Sequence, residues 1–258
     1  MSTAKLKLVR KLAMKKFRAE TGLFIAEGLR LCEVALNHAE IEFGFYTENF
    51  LKTARATELI NELKKVTTIE KISDAEFSKL SDTETPQGIL LAVRQNLSTL
   101  EKVTGKFLIV VLDGVKDPGN VGTILRTAEA FGCGVIILDG AVDVFNAKVV
   151  RSSMGAIFTL PITKLSREKF LASMKENGVE VTAAVLDDSA EKYFCHDFTK
   201  KSAVVFGSEA AGVSTEIFCA TKKIFIPMTG AAESLNVATA AGIIISEAIR
   251  QVSCYEKK

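Results

Sequence analysis

Three stretches of this 258-residue chain place polar residues at the ends of apolar runs. The first, LDGVKDPGNVGTILRTAEAFG from Leu112 to Gly132, passes through a Pro/Gly turn into a helix pattern beginning near Asn120, with Arg126 on that helix. The second, VVFGSEAAGVS from Val204 to Ser214, carries Gly207, Ser208 and Glu209. The third, IPMTGAAESLNVATAAG from Ile226 to Gly242, sets Ser234, Leu235 and Asn236 at the mouth of an apolar helix rich in small residues. In an open parallel sheet, ligands bind at the carboxyl ends of strands, so all three stretches are candidate ligand loops. Each residue also has a plain structural role open to it. Asn120 and Ser234 suit helix caps, Glu209 the acidic start of a helix, and Arg126 a solvated helix face. Several chemistries are excluded. No G-x-x-x-x-G-K-[ST] phosphate loop is present, and Gly119 and Gly122, with Pro118 between strand and helix, do not complete a dinucleotide fingerprint. Gly207-Ser208-Glu209 is not a nucleophile elbow, and no histidine is placed to activate Ser208.

The elements that must position these loops are legible as two parts. Residues 1–95 alternate strand and helix patterns: LFIAEG, LRLCEVALN, IEFGFYT, a helix over Ala54 to Lys65, VTTIEKI, a short helix, and GILLAV. That is a small α/β domain. Residues 96–105 have few large apolar side chains and read as a linker. From 106 to 258 the strand candidates are KFLIVVLDG, GVIILDG, GVEVTAAVL, SAVVFGS and KIFIPM. Short, wholly apolar runs of this kind belong to a mostly parallel sheet buried on both faces. Helical patterns fall between them: Val121, Ile124, Leu125, Ala128 and Phe131 share a face, Ser166 to Asn177 ends at Gly178, and Leu235 to Val252 closes the chain.

Composition bounds the partners. Nearly half the residues are apolar, yet no run reaches the length of a membrane span, so a cytoplasmic protein without membrane contact is expected. Cys32, Cys133, Cys195, Cys219 and Cys254 form no CxxC pair, which argues against a metal site or disulfide framework and for buried thiols. Cys195 and His196 are neighbours and point apart in any regular element. The net charge of +2 conceals a block with seven basic residues and no acid before Glu20: Lys5, Lys7, Arg10, Lys11, Lys15, Lys16 and Arg18. Leu6, Val9, Leu12 and Ala13 recur there at helical spacing, so one amphipathic helix is expected, either solvated or presenting its charge to phosphate.

Taken in order and spacing, the three loops resemble the signature motifs of the SpoU family of RNA ribose 2′-O-methyltransferases, within the SPOUT superfamily. The lesser stretch VVRSSMGAIFTLPI, Val149 to Ile162, extends the resemblance across the second part, and the first part is similar to the substrate-binding domain many members carry. The resemblance implies a carboxyl-terminal domain with helices on both faces of the sheet, tied in a deep trefoil knot, and homodimers formed through that domain. It implies S-adenosylmethionine as methyl donor and RNA as substrate, large-subunit rRNA ahead of tRNA. It places Arg126 at the ribose hydroxyl, with Asn120, Glu209, Ser234 and Asn236 as further catalytic positions. Main-chain groups of Gly207, Ile226 and Leu235, with Met228, Ser234 and Asn236, would hold the donor. A guanidinium stays protonated, so an electrostatic role suits Arg126 better than that of a base. Two departures from the usual pattern are Glu233 beside the donor loop and NVATA in place of a serine-containing version. A non-catalytic RNA-binding or ribosome-assembly module and a nicotinamide-dependent oxidoreductase, with Asp139 as ribose ligand, are the alternatives from other classes.

Overall fold

The basic amino-terminal block folds as two helices, not one. In the protein's structure, a computed structural model describing residues 2–187 and 189–255, with only the backbone of 2, 254 and 255, α1 (Ser2–Leu12) buries Val9 and Leu12. The chain breaks at Ala13–Met14 and resumes as α2 (Lys15–Thr21), which Gly22 ends in the left-handed conformation at φ 68°. Arg18 holds this corner. It is 4% exposed; Nη2 and Nε contact Asp143 Oδ2 at 2.8 and 2.9 Å, and Nη1 donates to the Leu12 and Ala13 carbonyls at 2.8 Å each. Its donors are spent inside the protein, which removes Arg18 from the expected phosphate-binding set. Breaking such a buried pair costs about 3–5 kcal/mol. Lys5 is partly withdrawn as well, paired with Glu70 at 2.9 Å and lying over the Phe43 ring. Lys7, Arg10, Lys11, Lys15 and Lys16 remain exposed.

The chain continues as β1 (Leu23–Glu27), α3 (Leu29–His38), β2 (Ile41–Tyr46), α4 (Ala54–Val66), β3 (Thr68–Lys71), α5 (Asp74–Phe77) and β4 (Ile89–Arg94). The caps are local chemistry: Thr53 accepts from Ala56 N at the start of α4, and Ser73 with Glu76 forms a reciprocal capping box on α5. The strands form a sheet in the order β1-β4-β2-β3, in which β4 runs antiparallel to both neighbours and β2 parallel to β3. Phe43, Phe45, Phe77 and Leu90 pack with Val9 as the core of this part.

Next come α6 (Leu100–Thr104), β5 (Leu108–Asp113), α7 (Pro118–Ala130), β6 (Gly134–Leu138), α8 (Ala147–Ser152) and α9 (Ala156–Thr159). The remainder is β7 (Ile162–Leu165), α10 (Arg167–Glu176), β8 (Glu180–Ala184), β9 (Glu191–Lys192), β10 (Ser202–Gly207), α11 (Thr215–Ala220), β11 (Lys222–Phe225) and α12 (Val237–Tyr255). The expected linker is instead structured. In α6, Val103 is fully buried, and its carbonyl lies 2.7 Å from where a Cβ on Gly134 would stand. Contacts divide the chain into Met1–Asn96 with Asp143–Thr159, and Leu97–Val142 with Leu160–Lys258. The stretch 143–159, expected with the second part, therefore packs within the first. There, the Phe24 ring meets those of Phe145 at 4.9 Å and Phe158 at 5.9 Å.

The second unit is built on a seven-stranded sheet ordered β7-β6-β5-β10-β8-β11-β9, with every described pairing parallel. All residues of β5 and β6 are buried, which is why their sequences show no alternation. From β5 the chain builds β6 and β7 on one side, whereas β10 and β8 lie on the other. The β5/β10 seam is thus a topological switch point, the place where such sheets open a crevice for ligands. β7 and β9 were not expected; β9 has only two residues, neither of them apolar. No described helix is long and apolar enough to cross a membrane. Cys32 and Cys133 are buried thiols: burial pushes the Cys32 thiol up, and that of Cys133 to about 12. Cys195 and Cys219 are exposed, against expectation, and the Cys254 side chain lies outside the described residues.

Candidate active site

The first and second loops leave the sheet side by side, because Asp113 and Gly207 are register partners at the ends of β5 and β10. After Gly207 the chain makes a tight loop in which Ser208 and Gly212 exchange both backbone hydrogen bonds, at 3.0 and 2.9 Å. Ser208 Oγ accepts from Ala211 N at 3.1 Å, so this serine is occupied in shaping the loop. Gly207 has no room for a side chain: a Cβ there would lie 2.1 Å from the Gly212 carbonyl carbon.

The helix that follows β5 starts at Pro118, and its cap is Asp117, whose carboxylate accepts from Asn120 N at 2.8 Å. Asn120 is therefore not the cap, and its side chain is free for other partners. Its Nδ2 donates to Glu209 Oε1 at 2.6 Å, and its Oδ1 accepts from Asn236 Nδ2 at 2.9 Å. Asn236 Oδ1 in turn accepts from Ala238 N at 2.9 Å and Thr239 N at 3.3 Å, capping α12. The chain Asn236–Asn120–Glu209 ties the three loops together across 116 and 89 residues of sequence. Its direction is fixed at both ends. An ionised carboxylate only accepts, and the helix amides only donate, so each asparagine has one workable orientation. Glu209 sits in the loop, not at a helix start, and Ser234 makes no side-chain hydrogen bond among the described residues; capping of α12 falls to Asn236.

Beside this chain lies a pocket of about 660 Å³. Gly207, Ile226, Met228, Ser234, Leu235 and Asn236, the positions that the resemblance assigns to the donor, all line it, and Glu209 does too. Leu186 and Asp187, after β8, complete the wall and were not anticipated. Among the described residues, the backbone of 226–235 makes no hydrogen bond to other backbone, so its donors and acceptors are free for a ligand. Apolar walls, a few placed polar groups and this volume fit a nucleoside-type cofactor such as S-adenosylmethionine. Arg126 is exposed on α7, does not line the pocket, and has no side-chain partner among the described residues. Of the small residues in the last helix, Ala241 is fully buried and Ala238 nearly so. A Cβ on Gly242 would meet open space, so close packing does not explain that glycine.

One buried carboxylate was missed. Asp113 is 2% exposed; Oδ1 accepts from Arg167 Nε at 2.8 Å, and Oδ2 accepts from Ser214 N at 2.7 Å. The signal was an acid closing an otherwise apolar strand. Among the described residues, no group of three or more His, Cys, Asp or Glu could hold a metal ion. His196 is buried, with Nδ1 2.8 Å from Glu191 Oε2 and Nε2 3.2 Å from Thr182 Oγ1, whereas Cys195 is exposed.

A parallel α/β sheet with a pocket for a nucleoside-type cofactor beyond the ends of β8, β10 and β11, joined to a second, smaller α/β unit, defines a cofactor-binding enzyme class. The chain belongs to the SpoU rRNA Methylase family, which it matches over residues 107–246, while residues 3–91 match the MRM3-like substrate binding domain. It is 34% identical over 246 residues to the 23S rRNA (guanosine(2553)-2′-O)-methyltransferase RlmP of Bacillus subtilis, covering 93% of this chain and 94% of the relative. The AdoMet-bound rRNA methyltransferase from Sinorhizobium meliloti is similar at a TM-score of 0.87 and 31% identity, with 98% of this chain and 96% of that one covered. The SpoU methyltransferase AviRb from Streptomyces viridochromogenes, in complex with AdoMet, gives a TM-score of 0.86 at 28% identity, covering 96% and 97%. Membership displaces the nicotinamide-dependent alternative.

Proposed function

We propose that this chain transfers the methyl group of S-adenosylmethionine to a ribose 2′-hydroxyl of large-subunit rRNA. The observation that carries the proposal is the Asn236–Asn120–Glu209 chain, which gathers the three loops at the rim of one pocket. When bound, the donor supplies a methyl carbon already activated for displacement by its sulfonium. The protein's own task is alignment and electrostatics. Free backbone groups in 226–235, with Gly207, hold the nucleoside, and Met228 and Leu235 exclude water from its apolar part. With the donor held there, the ribose oxygen would take the methyl group as the carbon–sulfur bond breaks, leaving S-adenosylhomocysteine, and the hydroxyl proton would pass to water. Alignment of this kind supplies roughly 7–11 kcal/mol when the geometry is near-attack. Arg126 holds the phosphate beside the reacting ribose and stabilises the developing alkoxide. Glu209 and Asn236 fix Asn120, and Ser234 shapes the mouth of the pocket. The domain carries the family's trefoil knot, associates as a homodimer and works in the cytoplasm; these belong to the proposal, supported by membership of the family. The test is methyl transfer from labelled S-adenosylmethionine into total RNA, with ribose methylation mapped in cells with and without the protein. A site lost with the protein supports the proposal; donor binding without transfer to any RNA turns it towards a non-catalytic assembly module.

The exposed part of the basic block, Lys7, Arg10, Lys11, Lys15 and Lys16, is the proposed phosphate contact; Lys5 and Arg18 are left out because their partners are internal. Replacing Lys11, Lys15 and Lys16 by glutamine is expected to weaken RNA binding and flatten its salt dependence. Each lost phosphate contact removes about 0.7 from the slope of log K against log salt on single-stranded RNA, up to roughly 2 in all. Filter binding at several salt concentrations measures this, and an unchanged slope discards the block as a contact.

A further inference from the structure

Asp113 is a carboxylate in a strand whose six residues are all buried, and it serves two elements at once. Through Oδ1 it pairs with Arg167, whose Nη2 also donates to the Asp139 carbonyl at 2.9 Å. Through Oδ2 it takes the amide of Ser214, the last residue of the loop that begins at Gly207. That loop carries Glu209, and Ser208 to Val213 line the pocket. Its near end is fixed by the fit of Gly207 against Gly212 and Val213, and its middle by the paired bonds of Ser208 and Gly212. Its far end is pinned to β5 by Asp113.

We infer that Asp113 is a positioning residue: its bond to the Ser214 amide sets the loop that walls the cofactor pocket and aims Glu209 at Asn120. The inference rests on the proposed reading of that pocket. Two features of Ser214 bear on the test. Its φ of −59° is a value a proline ring accommodates, so Ser214→Pro removes the N–H, and its ring carbon, standing where the hydrogen pointed at Asp113 Oδ2, also pushes the loop end away from β5. Its hydroxyl oxygen is buried without a partner among the described residues, so losing it forfeits no hydrogen bond there. Asp113→Asn weakens the same bond from the other side, and Arg167→Met removes the ion pair while leaving the Ser214 bond in place.

The experiment measures binding of S-adenosylhomocysteine by calorimetry well below every variant's Tm, together with amide exchange at Ser208 and Gly212. Ser214→Pro and Asp113→Asn are each expected to weaken binding about tenfold, the scale of one hydrogen bond to a charged group, and to speed exchange at Gly212. Arg167→Met is expected to lower Tm with affinity within about threefold of wild type. The inference is overturned if Ser214→Pro binds normally with exchange unchanged. It is also overturned if Arg167→Met weakens binding as much as the other two, because the corner would then act only through stability. A wild-type chain that fails to bind refutes the reading of the pocket, and the exchange rates still decide whether Asp113 pins the loop.

Discussion

Replacing Arg126 by alanine is expected to lower kcat by about 10²–10³-fold, the loss seen when one charge-stabilising donor is removed from an active site. The affinity for S-adenosylmethionine and the Tm are expected to stay as they are. Arg126 is exposed and unpartnered among the described residues, so its removal breaks no internal bond. The buried face of α7 is made by Val121, Ile124, Leu125 and Ala128, and alanine is at least as good a helix former as arginine. Nor does Arg126 line the pocket, so donor binding has no reason to change. Arg126→Lys keeps the charge but loses the planar fork, and is expected to fall between the two. Single-turnover transfer on RNA, with calorimetry of the donor, measures both sides. Activity within about threefold of wild type would remove Arg126 from the mechanism.

Gly207→Ala is expected to weaken donor binding by about 10–100-fold, with a lower Tm. The new Cβ would stand 2.1 Å from the Gly212 carbonyl carbon, 2.2 Å from Val213 N and 2.3 Å from Gly212 O. All three are backbone atoms, so no side-chain rotation relieves the clash and the whole loop must shift. Overpacking costs about 1–3 kcal/mol, which as affinity is about 5–150-fold and brackets the stated range. Gly242→Ala is the control. Its Cβ meets nothing within 4 Å, and a glycine in a helix costs about 1 kcal/mol against alanine, so this variant is expected to gain stability and bind normally. Equal donor affinity in Gly207→Ala and wild type would show that the loop tolerates displacement and is not the rigid wall described.

The strands were legible because burial on both faces leaves unbroken apolar runs, as in LIVVLD and GVIIL. Their order was not, because every such run looks alike and the pairing of β5 with β10 joins residues nearly a hundred positions apart. The helix at Leu100–Thr104 was hidden because five residues are too few to show a periodic face, although Val103 and Thr104 are buried. Arg18 was read as one more cation because its partner, Asp143, is 125 residues away and belongs to a segment that returns to the first unit. At the site, Asn120, Glu209 and Asn236 were legible through family resemblance, but not their bonds to one another. Asp117 was overlooked as the cap of α7 because Pro118 and Gly119 already mark a turn. Asp113 was passed over because a single carboxylate in an apolar run announces burial without naming its partner.

The run of carboxamides between α12 and Glu209 has a chemical corollary. An amide neither gains nor sheds a proton at physiological pH, so Asn236 and Asn120 form a girder and not a proton wire. Whatever accepts the hydrogen leaving the sugar, it is reached by another route, and Glu209 takes no part in carrying it off through these two residues.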